Sequence, residues 1–436
     1  MMWDYYCDKS ILITGASGFL GTAITHRLAS KARPKRIYIL CRRGESQLIR
    51  KWQRNLPEAD FKWLFNLESI TVIDGDIMQA DLGLSPQMIT ELQKEVNIII
   101  HAASTINLTY SLERVFDHIV QPSESLAQLA LGFTCLDRFV YVSTAFANTH
   151  LYKLSSKPQT EINEEIYPLL GEGKLLDDSL LSAQDARDQI TKTGSSTEFE
   201  LHDFPWPYAY GKHLAERLVL NLFIEKGWAS KVLILRPSVI GPAEKYPYPG
   251  YSVPLSTPST ALATAMIASS VFSVVVPTRC SKPEIEATID EVPVDVVVDR
   301  MVAHVAFNTT GCVHAVGGER GRLSFMDFWG AAMKLRRLPW EPRIIWSSTV
   351  DWHSPDLHPV LRLYVILGTA FLFTEEKTNN LWKMLSPDER GDMILFRNTA
   401  GKSYELISRR EHIRFLIRLF AKRTIFPAWL LVYLCR

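Results

Sequence analysis

The sequence predicts an α/β fold in which helices flank a doubly wound parallel sheet. Three observations carry that expectation. Apolar strand-like runs alternate with helical segments through the first third of the chain, a glycine-rich turn follows the first run, and length and composition leave room for more than one core. The 436 residues are 47% hydrophobic, and 48 Lys+Arg stand against 47 Asp+Glu. Near-cancelling charge removes the global electrostatic case for a nucleic-acid partner, so only local patches could attract polyanions. The 6 cysteines form no CxxC pair or Cys/His cluster. That pattern argues against structural zinc and against a disulfide framework, and no metal site is expected.

Taken in order, SILIT at Ser10 to Thr14 reads as a short buried strand and Gly21 to Ala29 as a helix. Further strands are expected at Arg36 to Cys41, Ser69 to Ile73, Val96 to His101 and Arg138 to Ser143, because each is a short apolar run bounded by polar or turn residues. A polar stretch from about Leu151 to Phe204 is too long for an ordinary loop and reads as an excursion with its own short helices. A helix from Tyr208 to Lys226 and a strand from Lys231 to Leu235 resume the pattern. Beyond Gly241 the texture turns Pro- and Tyr-rich, and from about Pro339 onward amphipathic helices are expected with little strand.

The turn after the first strand is Thr14-Gly15-Ala16-Ser17-Gly18-Phe19-Leu20-Gly21. Gly15 permits the tight turn, Gly18 lets backbone approach a pyrophosphate, and Gly21 lets the helix pack on the sheet with its N-terminus facing the anion. The spacing is GxxGxxG, which points to a Rossmann-like dinucleotide fold of the short-chain reductase type. An enzyme using NAD commonly places an acid at the end of the second strand, whereas this chain reads Cys41-Arg42-Arg43-Gly44. Two guanidiniums suit a 2′-phosphate, so NADPH is the expected cofactor. Asp76 and Ile77 after the third strand could bracket the adenine, and Ala102 and Ala103 after the fourth are small where backbone must meet cofactor.

Tyr208-Ala209-Tyr210-Gly211-Lys212 is a YxxxK, and residues four apart share a helix face. Carbonyl reduction needs a proton donor for the nascent oxyanion, and a cation at Lys212 is expected to lower the pKa of Tyr208. Thr144, after the fifth strand, is placed to hydrogen-bond the same carbonyl, with Ser143 as a substitute. Tyr210 should face elsewhere. Pro237, Ser238 and Val239 would close the far side of the nicotinamide. No GxSxG elbow, HExxH or GxxxxGK[ST] competes with this reading.

With those residues in hand, the chain resembles the extended short-chain dehydrogenase/reductases, and within them the alcohol-forming fatty acyl-CoA reductases of the male-sterility type. TGASGFLG, GDI, HAAS, YVSTAFAN, INEEIYP, YAYGK, LRPSVIGP, PYPGY and VPVDVVVDRMVAH follow that family's order over about residues 10 to 310. The tail from Phe373 to Phe396 is similar to the family's helical C-terminal segment. The resemblance implies NADPH-dependent reduction of long-chain acyl-CoA to a primary alcohol through a hemithioacetal and an aldehyde, with Thr144, Tyr208 and Lys212 catalytic. Release of a carrier-bound polyketide or peptidyl thioester, reduction of a bulky ketone, and noncatalytic NADPH binding are the alternatives. Two departures stand out. Ile119-Val120-Gln121-Pro122-Ser123 replaces the family's Asn-Val-x-Gly-Thr, so a proton relay through that Asn is missing or rebuilt with His118, and Arg397-Asn398-Thr399-Ala400-Gly401 lacks the expected acidic and Trp positions. The expected domains are an NADP-binding Rossmann domain over 1–242 with the excursion at about 151–207, a substrate-side segment over 243–342 that partly returns to the sheet, and a helical C-terminal domain over 343–436.

The opening MMWDYYCDKS has no basic n-region, so a cytosol-facing protein is expected. Near the end, Arg410, Arg414, Arg418 and Lys422 line one face of a helix, with Ile413, Leu416, Ile417 and Phe420 on another and Trp429 and Tyr433 beyond. Such a helix could lie in an anionic membrane surface of the endoplasmic reticulum, a peroxisome or a lipid droplet, or could cap the protein's own core. No stretch approaches the roughly 20 apolar residues of a spanning helix. Oligomeric state is not legible.

Overall fold

A computed structural model describes residues 2–154, 159–169, 176–355, 357–397, 406–422 and 428–435. Seven parallel strands form one sheet: β1 (Ser10–Thr14), β2 (Arg36–Cys41), β3 (Ile70–Asp74), β4 (Ile98–His101), β5 (Arg138–Val142), β6 (Val232–Pro237) and β7 (Gly311–Ala315). Their spatial order is β7-β6-β5-β4-β1-β2-β3, which reverses direction beside β1. Ligands of open parallel sheets bind outside the strand C-termini at such a reversal.

The strands are apolar throughout because both faces are covered. Alternate residues feed two cores: Ile11, Ile13, Ile37, Ile39, Val140 and Leu235 enter one. Leu12, Tyr38, Ile99, Phe139, Tyr141 and Ile234 enter the other. Register follows, with Ile11 opposite Ile98 and Ile13 opposite Ile100. Strands expected at 10–14 and 36–41 have those bounds, whereas β4 begins two residues late, after Val96 has capped the preceding helix. The strand β7 was not singled out in the sequence. Its GCVHA carries a buried His314, whose Nδ1 lies 2.8 Å from the Thr374 carbonyl and whose backbone N–H donates to Glu164 at 2.9 Å.

The expectation of little strand beyond Pro339 is corrected by two short strands. Arg343–Ser347 pairs in parallel with Ser273–Pro277, and Ala370–Phe373 pairs in parallel with Gln159–Ile162 of the polar excursion. Such two-stranded pairs have no local sequence signal, since each partner completes the other. Buried ion pairs tie the layers further: Arg236 holds Glu216 at 2.6 Å and Arg27 holds Asp299 at 2.8 Å.

The terminal basic helix α6 can now be placed, together with α1 (Phe19–Arg27), α2 (Gly44–Asn55), α3 (Pro207–Glu225), α4 (Pro258–Ala268), α5 (Val294–Ala306), α6 (Arg410–Ala421) and α7 (Ala428–Tyr433). Its Ile413, Leu416 and Ile417 are buried in a core shared with Leu262, Ala263, Met266 and Phe328. Of the two expectations for this helix, these three residues follow the second, covering α4, while Phe420 is 40% exposed. Arg410 and Arg414 likewise lean over Cys435. Among the described residues, no helix is long and apolar enough to cross a membrane.

Candidate active site

The glycine turn adopts the geometry its spacing calls for. Gly15 has φ +78°, and a Cβ there would come within 2.7 Å of the Ala103 nitrogen. At Gly21 a Cβ would lie 2.2 Å from the Gly15 carbonyl oxygen, so the first turn of α1 can seat on the loop only without a side chain. Gly18 is the N-cap of α1 and brings no side-chain hydrogen bond, which leaves the helix N-terminal N–H groups pointing at the cleft. This cradle fits a pyrophosphate.

A cavity of about 560 Å³ starts there and runs along the strand C-termini. Of the expected cofactor residues, Gly15, Ser17, Gly18, Phe19, Leu20 and Gly21 line it. So do Arg42, Asp76, Ile77, Ala102 and Ala103, and further along Pro237, Ser238 and Val239. Two others do not reach its wall. Thr14 is buried beneath the loop, where its Oγ1 lies 2.8 Å from His101 Nδ1 and accepts from the Ala103 N–H at 3.2 Å. Arg43 is an exposed residue with φ +64° at the N-cap of α2 and is not among the residues that line the cavity. The pairing of two arginines is thus corrected to Arg42 with a cation the sequence did not single out. Lys51 on α2 enters the wall beside Gln47, and its Nζ donates to Ser17 Oγ at 3.1 Å. The available signal was the helical spacing of Gln47 and Lys51, which puts both on one face after β2.

The catalytic candidates converge midway along the cavity. Pro207 opens α3 at a position where a missing N–H costs nothing, and Tyr208 and Lys212 follow on one face. Gly211 lets that helix press on its neighbour, since a Cβ there would lie 2.2 Å from Val115 Cγ1. Thr144 lies two residues past β5, caps the turn Ala145–Asn148 by accepting from the Phe146 N–H at 3.3 Å, donates its hydroxyl proton to the Pro237 carbonyl at 3.4 Å, and acts on the Tyr208 phenol so as to lower its pKa. Ser143 also lines the cavity, with its buried Oγ unpartnered. Tyr210 is fully buried elsewhere, with its hydroxyl 2.8 Å from Ser196 and 3.0 Å from Glu198.

The electrostatics depart from expectation. Burial raises the Tyr208 pKa to about 12, against which the Thr144 hydrogen bond works only in part. Burial likewise lowers Lys212 to about 7, opposed by the Glu216 carboxylate. Lys212 Nζ donates to the Val142 carbonyl at 2.9 Å and sits 4.9 Å from the Tyr141 ring centroid. The expected lowering of the tyrosine by this cation is not found: burial raises the phenol, the Thr144 side chain works against that rise, and Lys212 is not among the groups that shift it, so the phenol keeps its proton through the neutral range.

Where the family's Asn is replaced, Ile119 is buried at the end of an i→i+5 turn spanning Phe116–Val120. Ser123 donates to the Ile119 carbonyl at 2.6 Å and lies 3.1 Å from His101 Nε2, so a buried chain runs from Ser123 through His101 to Thr14. His118 lines the cavity with Nδ1 2.9 Å from the Arg114 carbonyl. The departure at Asn398 to Gly401 lies outside the described residues.

Past the hydroxyl pair the cavity becomes apolar. Its walls there are Phe146 and Trp206, Leu262 from α4, and the C-terminal residues Leu367, Phe371 and Phe373. Ile366, Leu363 and Tyr364 complete that side. In the sequence the run from Leu363 to Phe373 reads only as an apolar stretch too short to span a membrane; its place in the cavity wall depends on a strand pair formed by segments about two hundred residues apart.

A family model described as "Male sterility protein" matches residues 13–301. Human fatty acyl-CoA reductase 2 is 31% identical over 309 residues, covering 69% of this chain and 55% of that protein. Bovine fatty acyl-CoA reductase 2 is 31% identical over 269 residues, covering 59% and 48%. The chain thus spans about half the length of the curated relatives it matches. Among solved structures, the terminal R domain of the myxalamid PKS-NRPS pathway superposes with TM-score 0.56 at 19% identity, covering 86% of this chain and 85% of that one. UDP-glucuronic acid 4-epimerase from Bacillus cereus, in complex with NAD, gives TM-score 0.54 at 13% identity over 93% and 99%. These two likenesses establish the fold.

Proposed function

The chain belongs to the male sterility protein family, and on that premise we propose that it is an NADPH-dependent reductase of long-chain fatty acyl-CoA thioesters that forms primary alcohols. The observation that carries the reading is one continuous cavity that joins a phosphate cradle, a Thr144–Tyr208–Lys212 cluster and an apolar chamber. The chamber suits an acyl chain because it offers carbon surface and few polar partners. Arg42 and Lys51 at the cradle end are the groups that would hold a 2′-phosphate, and the α1 N-terminus would hold the pyrophosphate.

A bound nicotinamide supplies hydride to the carbonyl carbon. The protein's part is to manage the oxygen. Thr144 and Tyr208 both line the cavity, and the phenol, raised to about 12, carries its proton at neutral pH and hands it to the developing alkoxide. Lys212, one turn on from Tyr208 and lowered to about 7 by burial, lines the same cavity and would hold the nicotinamide ribose when the cofactor is bound. In the first round the product is a hemithioacetal. Its hydroxyl proton returns to Tyr208 as the C–S bond breaks, the thiolate takes a proton from solvent, and an aldehyde remains. In the second round, with a second equivalent of NADPH in place of the spent cofactor, Tyr208 protonates the alkoxide that hydride addition forms from that aldehyde, and solvent restores the phenol.

The test is product analysis by mass spectrometry with palmitoyl-CoA, carrier-bound acyl and free aldehyde, each with NADPH. Consumption of palmitoyl-CoA with fatty alcohol formed, abolished by Tyr208→Phe, is expected. Turnover of carrier-bound acyl alone would transfer the reading to a chain-release reductase, and no turnover of any substrate would refute it.

A further inference from the structure

Three strongly exposed aromatic side chains stand out. Trp429 is 73% exposed, Phe272 74% and Tyr433 62%. They come from distant segments brought together by specific contacts. The Phe272 and Trp340 rings lie 5.3 Å apart. Arg336 donates to the Trp340 carbonyl and bridges to Cys435, and the Arg337 N–H donates to the Leu434 carbonyl at 2.9 Å. The Arg337 guanidinium then sits 4.3 Å from the Tyr433 ring centroid. Trp429 lies one turn before Tyr433 on α7, which packs along α6.

Around these rings basic side chains predominate. Lys334, Arg337 and Arg343 are exposed, and Glu341 is the only acid between residues 334 and 345. Arg343 hydrogen-bonds through its N–H to the Phe272 carbonyl at 2.8 Å, which fixes it beside that ring. Arg418 and Lys422, both exposed, project from the C-terminal half of α6, and residues 412 to 422 contain no acid. A soluble surface has no use for bare Trp, Tyr and Phe rimmed by cations, whereas the headgroup layer of a bilayer favours both kinds of side chain.

We propose that this patch, formed by Phe272, Trp340, Trp429 and Tyr433 with Arg337, Arg343, Arg418 and Lys422, docks the protein on an anionic lipid surface. The contact is monotopic: the rings enter the headgroup region and the cations pair with lipid phosphates and carboxylates. It differs from a membrane-lying α6, since the apolar face of that helix is buried against α4. Because α4 also supplies Leu262 to the apolar chamber, the docked face lies on the side of the molecule that houses that chamber. The proposal stands on the surface alone and does not require the reductase reading.

The experiment is flotation of the full chain with vesicles of phosphatidylcholine alone or with about 30% phosphatidylserine. Flotation with the mixed vesicles, weak flotation with phosphatidylcholine, and release on raising salt are expected. Removing two cations in Arg337→Gln/Arg418→Gln should lower the partition roughly twentyfold at constant lipid. Trp429→Ala/Tyr433→Ala should lower it by about tenfold or more, with the melting temperature and circular dichroism showing that both variants are folded. Flotation of both variants at the wild-type level, or no binding to either vesicle, overturns the proposal. So does a concentration-dependent dimer that Trp429→Ala/Tyr433→Ala abolishes, since the patch would then belong to a second copy of the chain.

Discussion

Replacing Lys51 with Gln isolates the cofactor specificity of the cradle. The ammonium lies 3.1 Å from Ser17 Oγ on a half-buried stretch of α2, next to the loop that would receive the phosphates. A charge-assisted hydrogen bond is worth about 1.5–3 kcal/mol net, and the solvent at this partly open rim puts the value at the lower end. About 1.5 kcal/mol corresponds to a roughly tenfold rise in the KM for NADPH. Gln keeps the helix and most of the stem, so the scaffold should be intact. The assay is initial-rate kinetics at saturating palmitoyl-CoA with NADPH and NADH in parallel. The KM for NADH, which has no 2′-phosphate, should move less than about twofold. An equal rise for both cofactors would mean that Lys51 serves the shared pyrophosphate, and no rise for either would remove it from the site.

Ile366→Trp fills the half-buried C-terminal wall of the chamber; kcat/KM should fall about tenfold for sixteen-carbon substrates relative to short ones, with cofactor KM unchanged, as read from a chain-length series. Glu291 is buried and held at about 2, against the cost of burial, chiefly by Arg409 and Arg397. Its folded pKa is below its unfolded value, so its contribution to stability is full above pH about 4.5 and is lost as pH falls toward 2; Glu291→Gln should cost about 3 kcal/mol at neutral pH, seen as a lower urea midpoint, and should flatten the acid limb. Lys212 is lowered to about 7 by burial, so the unfolded chain binds more protons between pH 7 and about 10.5 and stability from this group rises with pH across that window. Lys212→Met should abolish reduction and flatten the melting temperature over the same range; an unchanged slope would show that the ammonium is not desolvated.

What could be read from the sequence is what depends on short spacings. Gly15, Gly18 and Gly21 act within one turn, and Tyr208 and Lys212 within one helix, so their order along the chain already contains their geometry. Arg43 needed more: whether it faces the cavity depends on a left-handed residue at a helix start, and no pattern distinguishes it from Arg42. Lys51 sits in a helix whose polar face is read as solvated until the glycine loop is placed against it. The apolar face of α6 was legible as apolar, but whether it meets lipid or protein depends on α4, some 150 residues earlier in the chain. Ala370–Phe373 is legible as part of an apolar run but not as a strand, because the run belongs to no alternating pattern and its partner lies in a polar stretch.

That last pairing also orders events during synthesis. Ile162 accepts hydrogen bonds from Thr374, 212 residues later, so Gln159–Ile162 emerges long before its partner exists. At typical ribosomal speeds the interval is roughly 10 to 40 s. Through that time an open strand edge and the bare lower wall of the chamber face solvent, a state that invites pairing with other nascent chains. The segment is protected by its own composition: Gln159 and Glu161 alternate outward, and four residues are too few to template a growing sheet. The dinucleotide half is thus translated first, and the chamber closes only once the C-terminal third has arrived to seal it.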